Sequence, residues 1–228
     1  MNVKHNVNYF KKSENLKYIG LGIALVGFIM LWVGFGWTSY ILATVGLPTG
    51  LVLFFVGSAA RSSEADIDEC IKRETSGIEV SFEGDRHYEK RVLKQFPPVT
   101  VEGYEYDDGL MFKKAKNGKI RSSRYTKAVI YILSDRLYIS ECRVDLVGAP
   151  CEKRIVEIKY ENLADTEIKR EEKRVSFGKN SYAVKTCRLS VSYGEAESWS
   201  APVNDDVGTD ALVEKINTAI TLFNQERA

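Results

Sequence analysis

The sequence predicts an α+β protein in two parts: an N-terminal transmembrane helical hairpin, then a mainly antiparallel β-barrel closed by a C-terminal amphipathic helix. Three observations carry this. Residues 18–60 hold no Asp, Glu, Lys, Arg or His. From about residue 100 to 203, short β-branched runs alternate with turn residues. Leu212, Ile216, Ala219, Ile220 and Phe223 then fall on one helical stripe. The expected division is a basic tail over 1–17, the hairpin over 18–60, a helical connector over 61–100, and the β domain with its closing helix over 101–228.

Although 28% of its 228 residues are charged, the charge is unevenly spread. Lys4, Lys11, Lys12, Lys17 and Glu14 precede the apolar block, and all other Lys, Arg, Asp and Glu follow it in nearly equal numbers. No excess of positive charge points to nucleic acid.

A helix rises about 1.5 Å per residue, so one helix through the whole block would run about 65 Å. The hydrocarbon core it would cross is about 30 Å thick. Two helices fit where one does not. "FGWTSY" (35–40) lies near the midpoint, and its Gly36, Thr38 and Ser39 suit a turn while Trp37 and Tyr40 suit the headgroup level. The expected spans are Tyr18–Gly36 and Tyr40–Gly57. Lys11, Lys12 and Lys17 flank the first, Arg61, Lys72 and Arg73 follow the second, and the turn carries no cation. Both termini are therefore expected in the cytoplasm of a multi-pass cell-membrane protein. A cleaved signal peptide would need a shorter apolar core and a small-residue cleavage site, and a second span follows at once. Neither "MNVK" nor "QERA" predicts lipidation.

Gly20, Ala24 and Gly27 share one face of the first span, and Gly46 and Gly50 a face of the second, so the two helices should pack on each other or on further copies. A homo-oligomer through the hairpin is compatible with this pattern. Pro48 should kink the second helix. No ionisable residue enters the spans, which argues for an anchor and against an ion or proton pathway.

Beyond the block, "SSEADIDECIKRETS" (62–76) predicts a short helix with Ile67 and Ile71 four apart, and "RHYEKRVLKQF" (86–96) a second, stopped by Pro97-Pro98. "TVEGYEY" and "GLMFKKA" flank Asp107-Asp108-Gly109, and Asn117-Gly118 is a strong turn pair. Seven strands are then expected: "TKAVIYILS", "RLYISEC", "RIVEIKY", "ADTEIKRE", "RVSFG", "VKTCRLSVSY" and "ESWSAPV". Thr209 should cap the closing helix, with Asp210 in its first turn.

"YILSDRLYIS" followed by "EIKYENLADTEIKRE" resembles the bacterial pleckstrin-homology-like and GRAM-type domains through Leu133, Asp135, Arg136, Leu137, Ile158, Leu163 and Ile168. The resemblance spans about 127–223. It implies a small antiparallel barrel plugged by the C-terminal helix, in a family whose members are often tethered to a pair of transmembrane helices. The chain departs from that pattern in the long loop between Cys142 and Cys151 and in the segment 62–125.

Little in the sequence points to catalysis or metal binding. His5 and His87 are the only histidines, and Cys70, Cys142, Cys151 and Cys187 lack CxxC spacing. On the cytoplasmic side these cysteines should be reduced; Cys142 and Cys151 bracket a loop and could pair if the topology were inverted. Asp107-Asp108 and Asp205-Asp206 read as turn residues. One stretch stands apart: Lys113, Lys114, Lys116, Lys119, Arg121, Arg124 and Lys127 lie within fifteen residues without an acid. Such a cluster is either a solvated loop or a grip on anionic headgroups or a partner, each cation near a membrane being worth about 1 kcal/mol. Phosphoinositide-binding members of the resembled family likewise use a basic first hairpin.

The expectation is a non-enzymatic two-pass membrane protein, without cofactor, whose cytoplasmic pleckstrin-homology-like domain binds a protein partner or anionic lipid headgroups. The alternative is a ligand-gated membrane effector whose barrel senses a small anionic molecule and drives transmembrane assembly.

Overall fold

Two helices of the uncharged block run antiparallel, and the second opens at Gly36, whose φ of +73° lies where a side chain would be strained. The structure is a computed structural model that describes residues 3–11, 15–33, 36–58, 62–79, 94–148, 151–177, 180–204 and 209–227. It divides into two compact units, Met1–Ala65 and Asp66–Ala228.

The first unit holds α1 (Val3–Lys11), α2 (Leu16–Val33) and α3 (Gly36–Ser58). Helices α2 and α3 are antiparallel. Lys17 lies against Gly57, Gly20 against Gly50 and Phe54, and Gly27 against Gly46 and Leu47. Small residues let the backbones approach this closely, as the spacing of Gly20, Ala24 and Gly27 predicts. Two boundaries differ from expectation. The second helix begins earlier, so Trp37, Thr38 and Ser39 belong to the first turn of α3. The expected tail contains α1, whose Asn6, Tyr9 and Phe10 are buried, and the Ser62 hydroxyl donates to the Asn6 side-chain oxygen at 2.5 Å. Helix α3 continues through Pro48 and is long and apolar enough to cross a membrane; α2 meets that standard only when joined to α1 across a bend.

The second unit is α+β, with every strand pair antiparallel. It opens with α4 (Glu64–Glu74), which begins within the first unit's last residues. A four-stranded sheet follows, in the order β1 (Val99–Tyr104), β4 (Arg124–Ile132), β5 (Arg136–Asp145) and β6 (Glu152–Lys159). Strands β2 (Phe112–Lys114) and β3 (Ile120–Ser122) pair around Asn117-Gly118. A three-stranded sheet holds β7 (Leu163–Phe177), β8 (Asn180–Tyr193) and β9 (Glu197–Pro202), and α5 (Thr209–Arg227) ends the chain.

The barrel expectation needs correction: the described strands make three sheets rather than one closed barrel. On one side β1 runs beside β9, with a β-carbon at Gly103 falling 3.1 Å from Pro202 Cβ. On the other, β6 pairs only with β5 and β7 only with β8, so no ladder joins β6 to β7. The strand list also changes. "ADTEIKRE" and "RVSFG" are one fifteen-residue strand, β7, because the charged stretch between them stays paired with β8. "TVEGYEY" does not form a hairpin with the next segment; β1 crosses to pair with β4 in register from Val99↔Ile130 to Tyr104↔Tyr125. Of the helix expected over 86–96, only 94–96 are described.

One core lies between the two larger sheets. Ile130, Ile132, Leu137, Ile139 and Ile158 from one sheet meet Leu189, Val191, Trp199 and Ala201 from the other, and Leu212, Ile216 and Ala219 of α5 pack into the same cluster. The predicted stripe thus buries as expected, with Ile220 packed against it; the Phe223 side chain lies outside the described residues. Full burial of one such aliphatic side chain is worth about 1.5–3 kcal/mol, which is what holds α5 in place.

Candidate functional site

Strands β1 and β4 have two different faces, and their two-residue side-chain period separates them. On β4, Ile130, Ala128, Thr126 and Arg124 look inward while Lys127 and Tyr125 look outward. The inward face is apolar over most of its length and then becomes ionic. There the buried Glu105 carboxylate accepts from Thr126 Oγ1 at 2.6 Å, with Arg143 Nε at 3.3 Å and Arg124 Nη1 at 3.7 Å. Glu141, 2% exposed, accepts from Trp199 Nε1 at 2.6 Å and from Arg154 Nε and Nη2, each at 3.0 Å. Buried carboxylates persist only when so satisfied. Trp199 comes from the other large sheet, so this bond ties the two sheets together.

The outward face of β1 and β4 forms the wall of a cleft of about 820 Å³. It is flanked by α4, by the β2–β3 hairpin and by β7 and β8. Lys72, Lys119, Arg121, Lys127, Lys173, Lys185 and Arg188 line it, against the carboxylates of Asp68 and Glu102. Tyr104, Tyr106 and Tyr125 also line it; Tyr104 and Tyr125 stand directly across the β1–β4 pair with ring centroids 5.1 Å apart.

The seven cations expected as one patch separate here. Lys119, Arg121 and Lys127 line the cleft. Arg124, on the other face of β4, joins Glu105 inside. Lys113 is buried at 7% exposure, Lys114 lies 5.6 Å over the Tyr182 ring, and Lys116 is exposed in the turn; none of the three lines the cleft. Sequence proximity placed them together, and strand alternation and the hairpin fold take them apart. The four cations that sequence reading missed, Lys72, Lys173, Lys185 and Arg188, come from α4, β7 and β8. Only tertiary folding gathers them, and no local pattern marks them.

Charges in and around the cleft are partly matched internally. Arg121 Nη1 and Nη2 donate to Asp68 Oδ1 and Oδ2 at 2.6 and 3.1 Å. Lys173 Nζ donates to Asp107 at 3.0 Å. Burial alone would raise the Asp107 carboxyl, but the Lys173 bond and charge, with Arg188 and Arg124 behind it, hold it below its ordinary value. Burial pushes the Tyr106 phenol up to about 12, and its hydroxyl donates to the Ile120 carbonyl at 2.7 Å. Burial also raises Tyr125, aided by the charge of Glu102. The groups on offer are cations, protonated phenols and one wall of aromatic rings, which is a chemistry of anion binding.

His87 lies outside the described residues, as do Asp205 and Asp206. Among the described residues no three His, Cys, Asp or Glu side chains gather to hold a metal. Cys142 and Cys151 differ from the reduced state expected of them: they form a disulfide, with Cα atoms 6.4 Å apart. Antiparallel pairing of β5 with β6 puts Cys142 opposite Lys153, two residues from Cys151, and this brings the sulfurs together. Both sulfurs also lie near the Glu74 carbonyl at the end of α4, at 3.5 and 3.8 Å. Compared with protein-family models, curated proteins and solved structures, the chain matches none.

Proposed function

We propose that this protein is a non-enzymatic, two-pass membrane protein whose β-rich unit is a pleckstrin-homology-like module that takes an anionic headgroup in its basic cleft. The observation that carries the reading is the gathering of seven cations, against two carboxylates, from α4, β3, β4, β7, β8 and the β2–β3 turn into one concavity. A solvated face has no reason to draw cations from so many elements together, whereas a site for a multiply charged anion does. The resemblance to pleckstrin-homology-like domains is supported by a four-stranded and a three-stranded antiparallel sheet around one core, with a C-terminal helix packed into it. The membrane reading is supported by the uncharged block, the length of α3 and the close packing of α2 on it. Both termini are placed in the cytoplasm by this proposal, on the flanking lysines and arginines.

One observation favours a second reading. A cleft of about 820 Å³ is within the range of pockets that engulf small molecules, about 300–1,000 Å³. The alternative is a membrane effector that senses a small soluble anion and assembles through α2 and α3.

The test uses the full chain in a non-ionic detergent, titrated with short-chain phosphatidylinositol phosphate, short-chain phosphatidylcholine or inorganic pyrophosphate. The headgroup reading expects the phosphoinositide alone to raise the unfolding temperature of the β-rich unit by several degrees. At about 100 times the dissociation constant that corresponds to about 2.7 kcal/mol. Lys119→Gln with Lys127→Gln should remove most of the shift. A larger shift with pyrophosphate moves the assignment to the soluble anion, and equal shifts with all three remove both.

A further inference from the structure

We propose that Asp68 occupies the anion position of the cleft in the unliganded protein, and that a phosphate-bearing ligand displaces it from Arg121 and loosens α4. The inference rests on the cleft being an anion site and adds its ligand class and its regulation. The two partners are unequally exposed: the Arg121 side chain is 11% exposed and that of Asp68 57%. A guanidinium does not lose its charge at any ordinary pH, so one held this far inside must keep an anion beside it. Asp68 lies on the wet flank of α4, and water rehydrates its carboxylate at little cost when it leaves.

The bond is also of the kind a ligand reproduces. Both terminal nitrogens of Arg121 donate, one to each oxygen of Asp68, and a phosphate offers the same pair of oxygens to the same fork. Charge decides the competition. Asp68 satisfies Arg121 and reaches no other cation of the cleft in the bonds described, whereas a ligand with two or more negative charges engages Lys119 and Lys127 as well. A polyanion therefore displaces Asp68, and a monocarboxylate does not. Just past the other end of α4, Lys153 Nζ donates to the Ser76 carbonyl at 3.4 Å, a contact that does not involve Asp68. Exchange at Asp68 removes one tie on the helix while Ile67, Cys70 and Ile71 keep its other face buried, so α4 loosens around Asp68 without leaving its seat.

The experiment is calorimetric titration of the full chain in detergent with inorganic pyrophosphate, with acetate as the monoanion control and short-chain phosphatidylinositol phosphate as a parallel arm. Asp68→Asn removes the competing charge and keeps the shape, so it should bind pyrophosphate about tenfold more tightly than the unaltered chain. Acetate should bind neither. Arg121→Gln should lose binding, and its unfolding temperature checks that it still folds. Hydrogen exchange over 64–70 should rise when pyrophosphate is added to the unaltered chain and should already be raised in Asp68→Asn without it. A stronger gain with the phosphoinositide marks a headgroup as the source, and a stronger gain with pyrophosphate marks a free phosphate ester. Equal affinities for the unaltered chain and Asp68→Asn, with no change in exchange, overturn the displacement and leave the cleft reading intact. If neither anion binds either protein, both fall.

Discussion

Tyr106 shows how a single residue reports on the cleft. Its hydroxyl is bonded to the Ile120 carbonyl and its ring stacks on Phe112, with centroids 6.2 Å apart. Burial holds its proton up to about pH 12, against 10.0 for a free phenol. The folded value is the higher, so the contribution to stability is complete below pH 10. It is lost as pH rises from there to about 12, because the unfolded chain gives up a proton that the folded chain keeps. The expected loss is on the order of 2 kcal/mol, read as the difference in unfolding free energy between the unaltered chain and Tyr106→Phe across that interval. Phenolate absorbance should show a late step that Tyr106→Phe lacks; if the two titrations coincide, Tyr106 is not buried as described. Asp107 has the opposite sign. Its folded value is depressed, so its contribution is present at neutral pH and disappears as the solution is acidified through the carboxylate range.

Among the elements, the α2–α3 pair depends most sharply on single atoms. A β-carbon at Gly27 would stand 2.7 Å from the Leu47 backbone nitrogen, and one at Gly50 would meet the backbone and Cβ of Ala24. Gly22 has nothing within 4 Å of the same position. Gly27→Val and Gly50→Val should each cost about 1–3 kcal/mol by forcing the helices apart, seen as earlier loss of helical circular dichroism in detergent. Gly22→Val should be neutral, and if all three behave alike the close packing is wrong. The pattern of small residues was legible in advance because helical periodicity is local. So was α5, whose stripe buries as spaced, and the reversal at Asn117-Gly118. The extent of β7 was not legible. Glu172 and Lys173 read as the break between two strands, yet both stay paired with β8, opposite Lys185 and Val184, because a sheet edge tolerates charge wherever the backbone partner is present.

At the scale of the whole molecule, the proposed membrane protein stands or falls on the side that its β-rich unit faces. Two observations pull in opposite directions. The cationic flanks of the apolar block favour the cytoplasm, and a disulfide between Cys142 and Cys151 favours an oxidising compartment. Reporter fusions at residue 36 and after residue 228 decide between them. The proposal expects the first outside and the second inside, with Cys142 and Cys151 reduced, so that protein denatured in the presence of a thiol reagent takes up label at both. A C-terminal reporter outside, with the cysteines blocked, would reverse the topology and remove inner-leaflet headgroups as ligands.

What the sequence by itself determined follows from interactions between residues near each other in the chain: the uncharged helical pair, the run of strands, the closing amphipathic helix and the presence of a cationic cluster. Hydrophobic period and turn chemistry act over a few residues, so they are readable without a fold. The tertiary structure alone decided which cations share a cleft, that Arg124 turns inward to Glu105, and that Asp68 reaches Arg121 across 53 positions of chain. Those pairings are set by strand register and by the path of the chain between sheets. Electrostatic partners act through space, and one chain position along a strand is enough to move a charge from the solvent face to the core.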